Sequence, residues 1–319
     1  MKKLVISIVT WNSESVIVPC IQSILDQSYK DFELWIVDNN SYDNTCKRIV
    51  EISDPSIKLY KLESNIGFCG GHNYSINNSH SEYVLLVNPD ILMSNDYIEN
   101  ALKVFDDDSK IGTVCGLLIR DGNRENGTID SAGMNFTKDC RFVLRYHGKP
   151  INRRQLFRTE VPGADGALPL YRREMIDDIK VKGQFFDEMF FAHKEDWDVS
   201  WRSRLYGWKI VFEPACTAWH PRSFRQGSPF TREKVLSATK YHAVKNQLIM
   251  MIKNQTFSVF LKHFIFIITR QIGIVFYCLL FERSSLKAYL FVATHLKEII
   301  QTRDIIISKY YYLHLHNNN

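Results

Sequence analysis

Four apolar runs in the first ninety residues each lead to a polar cluster, with helix-like stretches between them, and this repetition constrains the fold most. Residues 4–9 (LVISIV) lead into Thr10-Trp11-Asn12, and residues 32–38 (FELWIVD) end at Asp38-Asn39-Asn40. Residues 57–62 (IKLYKL) run toward Asn65-Ile66-Gly67, and residues 83–88 (YVLLVN) end at Asn88-Pro89-Asp90. Continuous apolar strands are covered on both faces. Helical stretches over 13–27, 43–52, 72–79 and 96–105 supply that cover, with Pro19 tolerated near a first turn, and 111–119 adds another strand. The βαβα order predicts an α/β fold with a mostly parallel sheet and flanking helices. Ligands of such sheets bind beyond the carboxyl ends of the strands, so all four polar clusters are expected on one rim.

The chain has 319 residues and is 45% hydrophobic, enough for a sizeable core and too apolar for a disordered chain. Its seven cysteines form no CxxC pair, which argues against a structural zinc or dithiol site and suits a reducing compartment. The apolar run at 4–9 is too short for a signal peptide and is cut off by Trp11-Asn12-Ser13, so a cytoplasmic location is expected. Charge is unevenly divided. Residues 1–221 hold 26 Lys/Arg against 31 Asp/Glu, whereas residues 222–319 hold 14 against 4. An acidic body with a basic tail points to a segment that meets something anionic. Nucleic acid is not the expected partner, because the tail's cations are dispersed among aliphatic residues. Residues 120–160, rich in Gly, Asn, Arg and Asp, read as a loop or small β excursion over the site.

Several constellations can carry chemistry, and each has a plain structural alternative. The Asp38 carboxylate can accept hydrogen bonds from a base or sugar edge beside a helix N-terminus, or Ser41 or Asp43 can simply cap that helix. Gly67, Gly70 and Gly71 let backbone N–H groups approach phosphate, but they fit neither GxGxxG nor a P-loop and a strained turn explains them too. Asp90 brings one carboxylate to the rim, enough for a hard divalent cation on a diphosphate; a Pro-terminated strand end is the alternative. His220, after the strand-like residues 209–219, completes a metal site with Asp90 or is structural. Glu195-Asp196-Trp197-Asp198 opens a helix anchored by a Trp197, Trp201, Leu205 stripe. The helix dipole favours ionised Asp196 while Glu195 and Asp198 oppose it, which suits a general base; helix-end stabilisation is the alternative.

Taken together and in this order, the motifs resemble the family 2 inverting glycosyltransferases of the GT-A fold. The nearest branch is the rhamnosyltransferase-like group of bacterial surface-polysaccharide synthesis. The resemblance is carried by SIVTWNS (7–13), VDNNS (37–41), NIGFCGGHN (65–73), LLVNPD (85–90), DGALPLYRRE (165–174), FFDEMFFAHKEDWDVSWR (185–202) and Trp219-His220. It implies a catalytic domain over 1–221, with a nucleotide-binding part to about 120 and an acceptor part beyond. It implies a donor site of Thr10, Asn12, Asp38, Asn40, Asn65, Gly67, Asn88 and Asp90, with Mg²⁺ or Mn²⁺ held by Asp90 and His220. Asn88 stands where many members carry a first Asp. The acidic pair Glu195-Asp196 supplies the base, with Asp196 the usual member. The implied reaction moves a sugar from a nucleoside-diphospho-sugar to a hydroxyl of a glycan or polyprenyl-diphosphate-linked acceptor, with inversion, in O-antigen- or capsule-type synthesis. dTDP-L-rhamnose leads among donors, ahead of UDP-hexoses and UDP-galactofuranose. Two rivals remain: a non-catalytic nucleotide-sugar-binding protein, which needs no Glu195-Asp196 pair, and a nucleotidyltransferase, which needs a Gly-rich basic loop where Thr10-Trp11-Asn12-Ser13 stands.

Residues 222–319 are expected to form a helical, membrane-associated region. Residues 257–281 are strongly apolar but broken by Lys262, His263 and Arg270. Neither apolar piece, 264–269 or 272–281, alone reaches the roughly 20 residues of a spanning helix. The expectation is interfacial helices on the inner face of the cell membrane, with Lys245, Lys253, Lys262, Arg270, Arg283 and Lys287 near anionic headgroups. The alternative is a buried helical hairpin on the body.

Overall fold

β1 (Leu4–Thr10) is apolar on both faces because it lies inside the sheet, in parallel register with β2 (Phe32–Asp38) on one side and β4 (Tyr83–Val87) on the other. The computed structural model describes residues 2–221 and 236–316. α1 (Ile17–Leu25), α2 (Thr45–Val50) and α3 (Gly67–Asn78) are the crossovers that lead through β3 (Ile57–Lys61) to β4. Then follow β5 (Leu92–Met93), α4 (Tyr97–Val104), β6 (Ile111–Asp121), β7 (Thr128–Ser131), the β8 (Met134–Phe136)–β9 (Phe142–Leu144) hairpin and β10 (Thr159–Glu160). β11 (Pro169–Arg172), α5 (Arg173–Ile179), α6 (Glu195–Leu205) and β12 (Lys209–Trp219) complete the body.

The main strand order is β10-β12-β6-β11-β4-β1-β2-β3. β11 is antiparallel to both β4 and β6, and β12 is parallel to β6. The strands on either side of β11 therefore run the same way, and β1, β2, β4, β6 and β12 all end on one rim. Leu4, Ile6, Ile8, Leu34, Ile36, Leu85 and Val87 are fully buried beneath it, each worth about 1.5–3 kcal/mol of transfer free energy. The small β excursion expected over 120–160 is present as β7 to β10.

The glycine run departs from expectation. α3 starts at Gly67, not near His72, so Gly70 and Gly71 lie within the helix rather than in a loop. Gly67 adopts φ +76°, and its N–H donates to Asn65 Oδ1 at 2.9 Å. A Cβ on Gly71 would lie 2.7 Å from Val9, so this glycine lets α3 press against β1.

The tail departs more. Residues 222–235 and 317–319 lie outside the described residues; the rest forms α7 (Ser237–Asn254), α8 (Phe257–Phe281), α9 (Lys287–Thr294) and α10 (Leu296–His316). Packing does not stop at residue 221. Ile249, Met250, Ile299 and Ile306 join the core cluster that holds Trp201 and Phe185. Lys309 Nζ reaches Asp178 Oδ1 at 2.6 Å, and Arg303 donates to the Ile252 carbonyl at 2.6 Å. Lys245 and Lys253, expected near headgroups, are instead buried. Lys245 donates to the Met189 carbonyl, and Lys253 pairs with Asp187 at 2.5 Å. Arg270 is likewise engaged, with Nε 3.5 Å from Asp139.

α8 contradicts the buried-hairpin alternative. It is one 25-residue helix that joins both apolar pieces across Arg270, and only 11% of its most apolar window is buried. At 1.5 Å per residue it is about 37 Å long, and by length and composition it is able to cross a membrane. Ile265, Ile272, Phe276, Leu280 and Phe281 are exposed along it.

Candidate active site

Strand direction brings distant segments together on the rim: Asn88 and Asp90 after β4, His220 after β12, and Asp165-Gly166 just before the antiparallel β11. The Asn88 N–H donates to the Ala167 carbonyl at 2.9 Å and ties the first and third segments.

His220 and Asp90 face each other, with Nε2 3.5 Å from Asp90 Oδ1. The other ring nitrogen, Nδ1, lies 2.9 Å from Oδ2 of fully buried Asp130. Burial opposes an imidazolium here, but hydrogen bonds to Asp130 and Asp90 outweigh it and raise the His220 pKa to about 9. The pair also fits a divalent cation. Ligand bonds of about 2.1 Å at right angles put two donor atoms about 3 Å apart, a small adjustment from the observed spacing. A carboxylate behind the imidazole is the usual way a ligating histidine is oriented. Among the described residues no cluster of three or more ligating side chains occurs. Diphosphate and water would supply the other positions.

α6 presents the acidic pair. Trp197 and Trp201 anchor it as expected, with ring centroids 6.0 Å from Phe142 and 4.9 Å from Phe136. Half-buried Asp196 accepts the Gly166 N–H at 3.1 Å through Oδ2 and the Trp197 N–H at 2.9 Å through Oδ1. Glu195 is only 8% exposed, and its buried Oε2 has no hydrogen-bond partner among the described residues. Burial first, then the charge of Asp196, pushes its carboxyl well above the ordinary glutamate range. Asp198 adds its charge to those that raise the Glu195 pKa. It is buried with Arg202 Nε at 3.0 Å, Lys253 Nζ at 3.3 Å and Asn254 Nδ2 at 2.7 Å. Burial alone would raise its pKa, but Lys253 and Arg202 lower it, so its charge is compensated in place.

The segment leading into α6 is strained. Phe191, His193 and Lys194 all have positive φ (64°, 73° and 67°), a conformation costing non-glycine residues of order 1–3 kcal/mol each. Asn246 of α7 holds it: Nδ2 lies 3.0, 2.7 and 2.6 Å from the carbonyls of Phe190, Ala192 and His193.

On the donor side, Asn12 (φ 51°) stitches the β1 and β2 loops together. Its N–H donates to Ser41 Oγ at 2.9 Å, and its Oδ1 accepts the Tyr42 N–H at 3.0 Å. Asp38 is buried and accepts from Ser41 through both oxygens, at 3.0 and 2.5 Å, so it shapes this turn from beneath. Asn40 adopts φ 61° in the same turn. Thr10 is buried, and its Oγ1 has no partner among the described residues. Asn65 and Gly67 bond to each other, and the Asn39 amide donates to the Gly67 carbonyl at 3.0 Å. Trp11, 51% exposed, meets Tyr42 edge to face at 6.1 Å and offers an aromatic surface at the rim.

Sequence reasoning missed Asp130, Asp165 and Asn246. Asp130 meets His220 across 90 residues, and no spacing rule connects them. Asp165 lies in a quoted motif; its charge acts on both Glu195 and His220. Asn246 is a polar residue on a face that proves to be interior.

The sequence profile of glycosyl transferase family 2 matches residues 5–180. The chain is similar to poly-beta-1,6-N-acetyl-D-glucosamine synthase of Staphylococcus aureus (strain COL), 25% identical over 211 residues, covering 66% of this chain and 47% of that protein. The Staphylococcus epidermidis protein of the same name matches to the same degree. The chain spans about half the length of these curated relatives. The fold is similar to S. aureus TarS 1–349 in complex with UDP, with TM-score 0.54 and 16% identity over 93% of this chain and 92% of that one. It also resembles mannosyltransferase PcManGT of Pyrobaculum calidifontis in complex with GDP-Man and Mn²⁺, with TM-score 0.55 and 13% identity over 100% and 88%. GalNAc-T7 with UDP, GalNAc and Mn²⁺ aligns with TM-score 0.60 and 12% identity over 79% and 48%. At these identities the solved structures speak for the fold alone. The profile spans more than half of the sequence, and the chain belongs to glycosyl transferase family 2, a family of inverting glycosyltransferases.

Proposed function

We propose that this chain transfers a sugar from a nucleoside-diphospho-sugar to a hydroxyl of a glycan or lipid-linked acceptor, inverting the anomeric centre. The observation that carries this reading is the meeting on one rim of half-buried Asp196, held by the Gly166 N–H, and the facing Asp90–His220 pair. Asp196 accepts the proton of the acceptor hydroxyl as that oxygen attacks the anomeric carbon opposite the leaving group. The carbon–oxygen bond to the diphosphate breaks, and its electron pair leaves on the phosphate oxygen. Mg²⁺ or Mn²⁺, when bound by Asp90 and His220, would stabilise that departing charge. Asp130 orients His220, while Asn12, Asp38 and Asn40 shape the loops around the nucleoside and Thr10 lies beneath them. Asn65, Gly67 and Asn88 form the adjoining wall.

For the donor, dTDP-L-rhamnose rests on the motif resemblance. UDP-N-acetylhexosamine is favoured by the name of the staphylococcal relatives and by TarS in complex with UDP-GlcNAc. The exposed apolar length of α8 supports membrane association, on the inner face of the cell membrane if the site is cytoplasmic. An assay of hydrolysis and transfer across a panel of dTDP-, UDP- and GDP-sugars, with lipid-linked acceptors and with or without EDTA, tests the proposal. Turnover that falls with EDTA supports it. Tight nucleotide-sugar binding without turnover on any donor–acceptor pair would favour a binding protein instead.

A further inference from the structure

Phe190 and Phe191 are chain neighbours with opposite exposure. Phe190 is fully buried, whereas Phe191 is 37% exposed. Phe191 sits at the centre of a γ-turn, with φ 64° and ψ −63° and the Ala192 N–H donating to the Phe190 carbonyl at 2.8 Å. This hand of γ-turn is rare and strained, so its neighbours must hold it. They do so through the carbonyls. Lys245 donates to that of Met189, Asn246 to those of Phe190, Ala192 and His193, and the Cys69 N–H to that of Phe191 at 3.0 Å. The ring has supports of its own. The His242 imidazole stacks on it, with centroids 5.5 Å apart and planes 18° apart. Gly67 lets its edge in, since a Cβ there would lie 2.6 Å from Phe191 Cδ2. The exposed part is what those two contacts leave open.

The backbone is thus strained, and tied down from within, around one aromatic ring that stays open to solvent. Phe190 already supplies this segment's aromatic contact with the core. The open ring stands where two parts of the site meet. Gly67 belongs to the wall that follows β3, and Glu195 and Asp196 come four and five residues after Phe191. An aromatic face attracts the partly positive C–H bonds of a ligand. A pyranose offers such bonds on one face and hydroxyls around its edge, so stacking on Phe191 leaves a hydroxyl free for Asp196. A lone ring is too small a surface to seat a helix or a long acyl chain. We propose that Phe191 is the stacking platform for the acceptor's sugar ring and a specificity residue for the transfer. The inference rests on the transfer reading above and names a contact within it. The acceptor is favoured over the transferred sugar because Phe191 shares its segment with the base. The donor diphosphate belongs instead to the Asp90–His220 pair at the strand ends.

The test is saturation-transfer NMR of the full chain with UDP and Mn²⁺ saturating and the aromatic protein signals irradiated. The probes are methyl β-D-galactopyranoside, methyl N-acetyl-β-D-glucosaminide and methyl α-L-rhamnopyranoside. At least one is expected to bind, with the C–H protons of one ring face saturated most. Phe191→Leu keeps apolar bulk but loses the π face, and should weaken that glycoside about three- to tenfold, the worth of an aromatic contact. Phe191→Tyr should restore it. Circular dichroism and the affinities for UDP and for each nucleotide-sugar of the donor panel should stay unchanged in both variants. Binding by none of the probes overturns the proposal, as does saturation spread evenly over the sugar; the wild type alone decides both, even if a variant fails to fold. Wild-type glycoside affinity in Phe191→Leu overturns it too. Weaker nucleotide-sugar binding in Phe191→Leu with UDP affinity kept would put the ring against the transferred sugar and overturn the acceptor assignment. Glycoside stacking with no turnover in the donor panel would sink the transfer reading and leave the platform standing.

Discussion

Glu195 and Asp196 are chain neighbours in opposite surroundings. Glu195 is buried near three other carboxylates, with one oxygen that has no hydrogen-bond partner among the described residues, while Asp196 stands half-buried with a backbone N–H on each oxygen. Asp196→Asn is expected to leave nucleotide binding intact and lower turnover at least about a hundredfold. Turnover that survives this change but vanishes in Glu195→Gln would move the base to Glu195. The Glu195 carboxyl also leaves a signature in pH. The folded Glu195 carboxyl lies above its reference value of 4.5, so the folded state keeps a proton that the unfolded chain releases. Stability then falls as pH rises through about 4.5, until the folded carboxyl ionises as well. Glu195→Gln should therefore be the more stable protein above about pH 4.5 and equal to wild type below it, in thermal melts from about pH 3 to pH 8. Equal melting at neutral pH would show that the buried carboxyl carries no such cost. Asp196, Asp90 and His220 were readable because each lies in a local pattern at a helix start or strand end. Asp130 was not, because its importance comes from meeting His220 through a separate segment, β7.

At the scale of elements, the strained entrance to α6 depends on a helix outside the expected catalytic domain. One Asn246 amide nitrogen serves carbonyls of Phe190, Ala192 and His193. Asn246→Ala leaves these buried acceptors without that donor and should cost about 1–3 kcal/mol in denaturant unfolding. It should also lower kcat more than it weakens nucleotide binding, because the segment it holds leads directly into the acidic pair. Wild-type stability together with wild-type kcat would contradict this role. The sheet was legible because continuous β-branched runs admit few alternatives. α7 was not, because its lysines read as a basic membrane face. Lys245 and Lys253 in fact point inward, where Met189, Asp187 and Asp198 receive them. The α3 start was misread because glycines usually signal a loop, whereas Gly71 here permits close packing on Val9.

Across the whole molecule, an acidic body and a basic tail meet at a packed boundary, and α8 is the part left apolar and exposed. Removal of everything after Asn254 would strip α10 from Tyr206 and Asp178 as well as α8, so truncation is a poor test of membrane binding. Substitution on the exposed face is better. The full chain should sediment with anionic liposomes at low salt, and Phe276→Glu or Leu280→Glu should weaken that about tenfold or more while melting stays unchanged. No sedimentation by the wild type would make α8 an interface for protein instead. A single displacement assisted by Asp196 is tested by time-resolved NMR of the anomeric proton during turnover of an accepted donor. A single displacement gives a first product with the configuration opposite to the donor, at a rate that collapses in Asp196→Asn. A first product that retains the donor's configuration would contradict it.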